Sequence, residues 1–411
     1  MTTRPASRTS HALGNLRAIV ILLVLSFHSV LAYLNFLPAT PFAFDRPPYL
    51  WRAFPIIDSQ RWFGFDLYCA WQDVFLMSLF FFLSGLFVWP SLSRKSTASY
   101  LHDRLRRLGL PFALAVALLM PVALYPTYLQ NAAGPGVAAY FRHWLQLPFW
   151  PCGPMWFLWL LLVADLAAAG LYAWVPRSRR LLGALGASAN QFPMRFLAGV
   201  AIAAIVAYAA LALAFGPSDW AQWGPFAFQL SRPAHYAVYF FAGIAAGAPG
   251  IEGRLLAAKG PLAAHWMAWL GAALTSFVLW LALTGLLLHA GASATLGLQV
   301  ADDASYALAS FASCFFVLAA VLHFGAIRSP VLDSLGANAY GMYLVHYLFV
   351  VWLQYALLGA GFPAIVKGAL VFAGTLAASW GSVAGFRALF PALRGTVAGR
   401  AAGRAPGAAA S

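Results

Sequence analysis

Residues 15–28 read NLRAIVILLVLSFH, and nothing polar interrupts the run from Ala18 to Leu25. At a rise of ~1.5 Å per residue, a helix drawn around this stretch over 14–36 is long enough to cross a hydrocarbon layer of ~30 Å. Runs of the same kind recur at 67–89, 108–129, 153–175, 195–215, 232–249, 263–289, 304–326, 338–358 and 364–386. The chain has 411 residues, 62% of them hydrophobic and 9% charged. A soluble domain usually carries about 25% charged residues, so an ordinary soluble enzyme is excluded. The spread of the runs also excludes one signal peptide ahead of a globular domain. The reading is an all-α polytopic membrane protein of about ten spans, with a cytoplasmic segment at 1–13, a membrane domain at 14–390 and a disordered cytoplasmic tail at 391–411.

The net charge of +14, from 25 basic against 11 acidic residues, follows the topology. With the N-terminus in the cytoplasm, only Arg46, Arg52, Arg61, Arg142, Arg232 and Lys367 fall outside, which leaves 19 of the 25 basic residues inside. That asymmetry is what the positive-inside rule demands; both termini are cytoplasmic and no nucleic-acid partner is needed to account for the charge. The outer segments are acidic and aromatic, and the long ones at 37–66 and 130–152 read either as a lid or as interfacial anchoring. The span at 232–249 is the weakest and reads as spanning or re-entrant. Cys69, Cys152 and Cys314 are too few and too scattered for a disulfide framework or a zinc site, and no metal is expected. Cys69 and Cys152 both fall at the outer face, paired or free.

An ionisable side chain inside hydrocarbon costs roughly 2.5–3.5 kcal/mol on insertion scales, so each calls for a partner or a task. Arg17 and His28 are eleven residues apart, which returns the second side chain to within ~20° of the first and ~16 Å further along the axis. They either line one cleft, with His28 suited to proton transfer near neutral pH, or serve as an interhelical hydrogen bond and a snorkelling cation. Arg104 and Arg107 at helical spacing offer two planar donor forks to an anionic ligand, or to lipid head groups. His346 follows Tyr340 and Tyr343 in the ninth span, at a depth that reaches His28. The buried acids Asp73 and Asp165 are candidates to orient a histidine or to pair with an arginine. His235, His265, His289 and His323 fall near span ends and carry no functional inference.

On these residues the sequence resembles the acyltransferase-3 family of bacterial integral membrane acyltransferases, including a branch that succinylates periplasmic glucans. Arg17, ten residues and His28 match its first-helix pattern. Phe80 to Gly85 resembles its Ser-Gly turn, and Arg104 with Arg107 its Arg-x-x-Arg motif. Gly153-Pro-Met-Trp156-Phe157-Leu158 and Tyr343-Leu-Val-His346 resemble later signatures. Two departures stand out: Asn15 and Trp159 occupy positions where the family often has an acid. The resemblance implies transfer of a short acyl group, acetyl or succinyl, from cytoplasmic acyl-coenzyme A to a hydroxyl of an envelope glycan, lipid or exported molecule, in the inner membrane. It implies His28 as general base, Arg17 and His346 assisting, and Arg104, Arg107 and Arg106 binding the coenzyme A phosphates. No soluble domain follows the tenth span, so dependence on a periplasmic partner protein is also implied. The alternative from another class is a transporter or flippase, in which buried His and Arg form a substrate or proton path.

Overall fold

The computed structural model describes residues 8–131 and 136–389; the expected tail at 391–411 lies outside the described residues. Helices α1 (Arg8–Val30) and α2 (Phe63–Gly85) are followed by α3, a nearly continuous helical run over Thr97–Asn131. A short amphipathic α4 (Val137–Gln146) leads to α5 (Trp156–Trp174), α6 (Pro176–Gln191), α7 (Pro193–Phe215) and α8 (Pro233–Gly247). Then come α9 (Trp266–Ala290), α10 (Leu296–Phe324), α11 (Pro330–Ala356) and α12 (Ala364–Leu389). The helix expected to begin at 14 begins at Arg8, within the segment read as a separate N-terminal stretch.

Among the described residues, eight helices are long and apolar enough to cross a membrane. The expected spans at 232–249 and 338–358 fall on helices outside that set, each for its own reason. α8 has only 15 residues. α11 has 27, but Asp333, Asn338, Tyr340, Tyr343 and His346 lower its hydropathy. Three elements were not anticipated: α4, α6 with Arg177, Arg179 and Arg180 in its first turns, and a hairpin of β1 (Trp220–Trp223) and β2 (Phe226–Gln229) paired from Trp220↔Gln229 to Trp223↔Phe226.

α8 is short because it is enclosed, and glycine brings it close to α2. A Cβ at Gly243 would lie 2.1 Å from the Phe82 carbonyl oxygen, one at Gly247 2.1 Å from that of Leu86, and one at Gly85 2.1 Å from that of Phe240. Small residues that let backbones touch are how helices associate where lipid removes the hydrophobic driving force. The sequence pattern at Ser84-Gly85 therefore ends α2 at a helix crossing, with the turn itself at Leu86 and Phe87.

Prolines join α3 to α11. Pro111 cannot donate to the Arg107 carbonyl four residues back, nor Pro126 to that of Val122. α3 loosens into π-helical turns at Leu105–Gly109 and Ala115–Leu119. The Tyr340 hydroxyl donates to the Arg107 carbonyl, and Trp352 Nε1 donates to that of Val122 at 3.0 Å. Both donors are on α11, on either side of His346.

α1 packs along α11 and α12 in the same direction as α11. Asn15 Nδ2 donates to the Gly325 and Ile327 carbonyls, both at 2.7 Å, and Gln354 Nε2 donates to those of His28 at 2.9 Å and Ser29 at 3.2 Å. Each end of α1 is thus tied to the α11 side. Over the far end of α1, Lys367 and Asp58 form an ion pair of 2.7 Å with side chains 0% and 1% exposed, fixing the 50–62 segment to α12. Cys69, Cys152 and Cys314 are buried free thiols, so Cys69 and Cys152 do not pair.

Candidate active site

His28 sits in the last turn of α1 with its ring half-buried. Its Nδ1 lies 2.8 Å from the Val24 carbonyl oxygen, the group four residues back in the same helix. A carbonyl only accepts, so this contact assigns the proton to Nδ1 and leaves the lone pair on Nε2. Among the described residues no hydrogen bond engages Nε2.

His346, fully buried on α11, approaches from the side. Its Nδ1 is 2.6 Å from the Tyr343 carbonyl oxygen, and its Nε2 is 3.4 Å from His28 Nδ1. By the same reasoning its proton is on Nδ1, and its Nε2 lone pair faces the His28 N–H. The two rings stand edge to face with centroids 4.9 Å apart. The arrangement allows His28 to take a proton on Nε2 while the Val24 carbonyl and His346 Nε2 stabilise the resulting imidazolium through Nδ1–H.

The segment before α5 closes on this pair. Gly153 has φ +49°, and a Cβ there would lie 2.9 Å from Met120 Sδ and 3.1 Å from the Tyr347 ring. Only glycine combines that conformation with that approach. The Tyr347 ring is 5.6 Å from that of His28, and the Tyr343 hydroxyl donates to the Pro154 carbonyl at 2.5 Å. Phe157 fits between Phe80 at 5.2 Å and Tyr343 at 6.3 Å. The motifs at 28, 153–157 and 343–347, distant in sequence, meet around one imidazole. Cys152 adds no nucleophile, since burial pushes its thiol up to about 12 and keeps it protonated.

Arg17 remains ~16 Å from His28 along α1, exposed, with its guanidinium 5.4 Å from the centre of the Phe87 ring. Arg104 turns inward: its Nε is 3.5 Å from Asp165 Oδ2, and its guanidinium lies 4.9 Å from the Tyr100 ring centre. The Tyr100 hydroxyl donates to Asp165 Oδ1 at 2.5 Å. Arg106 is exposed and Arg107 half-buried. Arg104 and Arg107 therefore differ in environment, because the π-helical turn begins between them and Asp165 holds the first. Asp73 pairs with Arg232 at 2.8 Å. Of the two roles open to these acids, both take the pairing with an arginine, and backbone carbonyls orient the histidines.

Over residues 10–384 the chain matches the family described as an acyltransferase domain. The chain belongs to the acyltransferase-3 family. No curated protein and no solved structure matches it. It is thus a membrane acyltransferase. The match covers every element around His28, from α1 to α12.

Two residues of this acyltransferase that support the site were not singled out. Gln354, 1% exposed, binds the carbonyl of His28 itself. Asn15, noted only as a departure from an acid, acts as a double donor, a task no carboxylate can perform. An amide in place of an acid within an otherwise matching motif was the available signal. His235 also differs from expectation: it is fully buried, with Nδ1 3.1 Å from the Ala204 carbonyl and Nε2 3.1 Å from Ser310 Oγ, a satisfied interhelical contact.

Proposed function

We propose that this acyltransferase moves a short acyl group, acetyl or succinyl, from cytoplasmic acyl-coenzyme A to a hydroxyl of an envelope glycan, lipid or exported molecule at the bacterial inner membrane. The observation that carries the reading is the His28 ring: Nδ1 tied to a carbonyl, Nε2 with no bond among the described residues, surrounded by the family's motif residues. In the reaction His28 Nε2 takes the acceptor hydroxyl's proton as that oxygen attacks the thioester carbonyl. The tetrahedral intermediate collapses with cleavage of the carbon–sulfur bond, and the coenzyme A sulfur leaves with the proton returned by His28. General acid–base catalysis of this kind contributes typically 10²–10⁴-fold. His346 acts as a positioning residue through His28 Nδ1.

Arg17, about 16 Å from His28 along α1, is assigned to the donor's phosphates rather than to the oxyanion. Arg106 and Arg107 offer further donor forks at the same side, while Arg104, held by Asp165, fixes the course of α3. Membership of an acyltransferase family favours this reading over a transporter. The test compares envelope glycans and lipids by mass spectrometry from cells with the gene, without it, and with His28→Ala at equal protein level. An acetyl-sized or succinyl-sized increment present only with the unaltered gene is expected. The same acylated species in all three strains would overturn the proposal.

A further inference from the structure

A hollow of about 280 Å³ lies at the ends of α7, α9 and α10, lined by Ala212, Leu213, Gly216, Leu287, Gln299 and Asp303 among others. It is on the face opposite the one where Asn15 meets the α10–α11 link, and it is separate from the elements that build the His28 site.

Asp303 sets it apart. The residue is 5% exposed, yet among the described residues no hydrogen bond or ion pair engages its carboxylate. Its neighbour in sequence, Asp302, shows the contrast: equally buried at 6%, it accepts from the Thr284 hydroxyl at 2.7 Å. Arg232 does not serve Asp303 either: its two terminal nitrogens go to the Tyr306 hydroxyl and to Asp73. The Asp303 carboxylate opens onto the hollow, where a partner arriving from outside the protein can reach it.

The surroundings select the partner's charge. A Cβ built at Gly216 would lie 3.2 Å from Asp219 Oδ2, so a second carboxylate stands against the hollow's wall. The rest of the lining sets the apolar side chains of Ala212, Leu213, Pro217 and Leu287 beside the Gln299 amide. One lining acid, a second beside the wall and no cation among the described lining residues disfavour a phosphate or carboxylate ligand. A primary ammonium on a short apolar stem satisfies both surfaces, since it brings a positive charge and three donors to acceptor-only oxygens. α9 supplies one wall and is the most lipid-facing span, with 11% of its apolar window buried, so the hollow opens beside lipid at the level of the helix ends.

We propose that this hollow binds a primary ammonium group presented at the membrane surface, either as a lipid head group or on a soluble amine, with Asp303 as its counter-ion. The proposal does not depend on the role given to His28. It is tested with the full chain in nanodiscs containing phosphatidylethanolamine and phosphatidylglycerol in equal amounts, with retained lipid read by native mass spectrometry. The amino lipid is expected to be enriched about tenfold or more on the protein, and Asp303→Asn is expected to abolish the enrichment. A second variant, Leu287→Trp, fills the hollow without touching the charge and is expected to have the same effect, so that a misfolded Asp303→Asn protein does not decide the matter.

Titration with ethanolamine separates the sources. Enrichment that ethanolamine does not displace assigns the site to lipid. Ethanolamine binding that is lost in Asp303→Asn, without lipid enrichment, assigns it to a soluble amine. No enrichment and no ethanolamine binding, or equal enrichment in wild type and both variants, overturns the proposal.

Discussion

His346 carries its own proton toward the Tyr343 carbonyl and presents a lone pair to His28, so the two histidines have unequal tasks although both lie in matching motifs. Replacing His346 by Ala removes the acceptor facing His28 Nδ1–H while leaving the Val24 contact intact. Turnover is expected to fall about 10- to 100-fold with KM for the donor little changed, less than the effect at His28 itself. His346→Gln, whose amide oxygen also accepts, is expected to recover part of the loss. A purely structural role would instead lower both variants' folded yield equally. Asn15→Asp keeps the shape and removes both donors, setting a carboxylate against the Gly325 and Ile327 carbonyls. A carboxylate buried at position 15 against two carbonyls that only accept costs about 1–3 kcal/mol or more, so a clear drop in thermal stability in detergent is expected; an unchanged melting curve would show that the amide is not needed. Residue types and spacing made His28, His346 and Arg17 legible in the sequence. The partners were not legible: a spacing of eleven gives a face but does not say that Val24, His346 and Tyr347 will meet it.

The helices were easy to read and the ways in which they join were not. Long apolar runs report each span because the bilayer demands them, and all ten expected segments fall on helices. Hydropathy is blind to α6 and α4, which follow the surface, and to the hairpin at Trp220–Gln229. It also undervalues α8 and α11, the first for its length and the second because it carries the site's polar groups. Proline gave a signal that could have been used: each one inside a helix frees a carbonyl, and Tyr340 and Trp352 take those of Arg107 and Val122. Glycine makes the comparable contribution between α2 and α8. Gly243→Ala would force a Cβ into the Phe82 carbonyl, and overpacking of this kind typically costs about 1–3 kcal/mol or more. Gly285→Ala on α9, with nothing within 4 Å of its Cβ, is expected to be neutral or mildly stabilising. Thermal unfolding of the two variants side by side checks the contrast; equal stability would contradict the close packing of α2 on α8.

At the scale of the whole molecule, one half-buried imidazole is reached by elements that the chain supplies from its beginning, middle and end. α1 brings His28, the turn before α5 brings Gly153 and Pro154, and α11 brings Tyr343, His346 and Tyr347. The amides of Asn15 and Gln354 tie the two ends of α1 to the α10–α11 link and to α11, which holds His28 in register with α11. Charge is divided in the same sense. Arg17, Arg106 and Arg107 gather toward one side, whereas Asp303 lines a hollow on the other, with Asp219 beside its Gly216. The most direct test is release of free coenzyme A by the purified protein in liposomes supplied with acetyl- or succinyl-coenzyme A and an envelope extract as acceptor. The account predicts release by the wild type and a loss of about 100-fold or more in His28→Ala protein of unchanged folding. Equal release by the two proteins would contradict it.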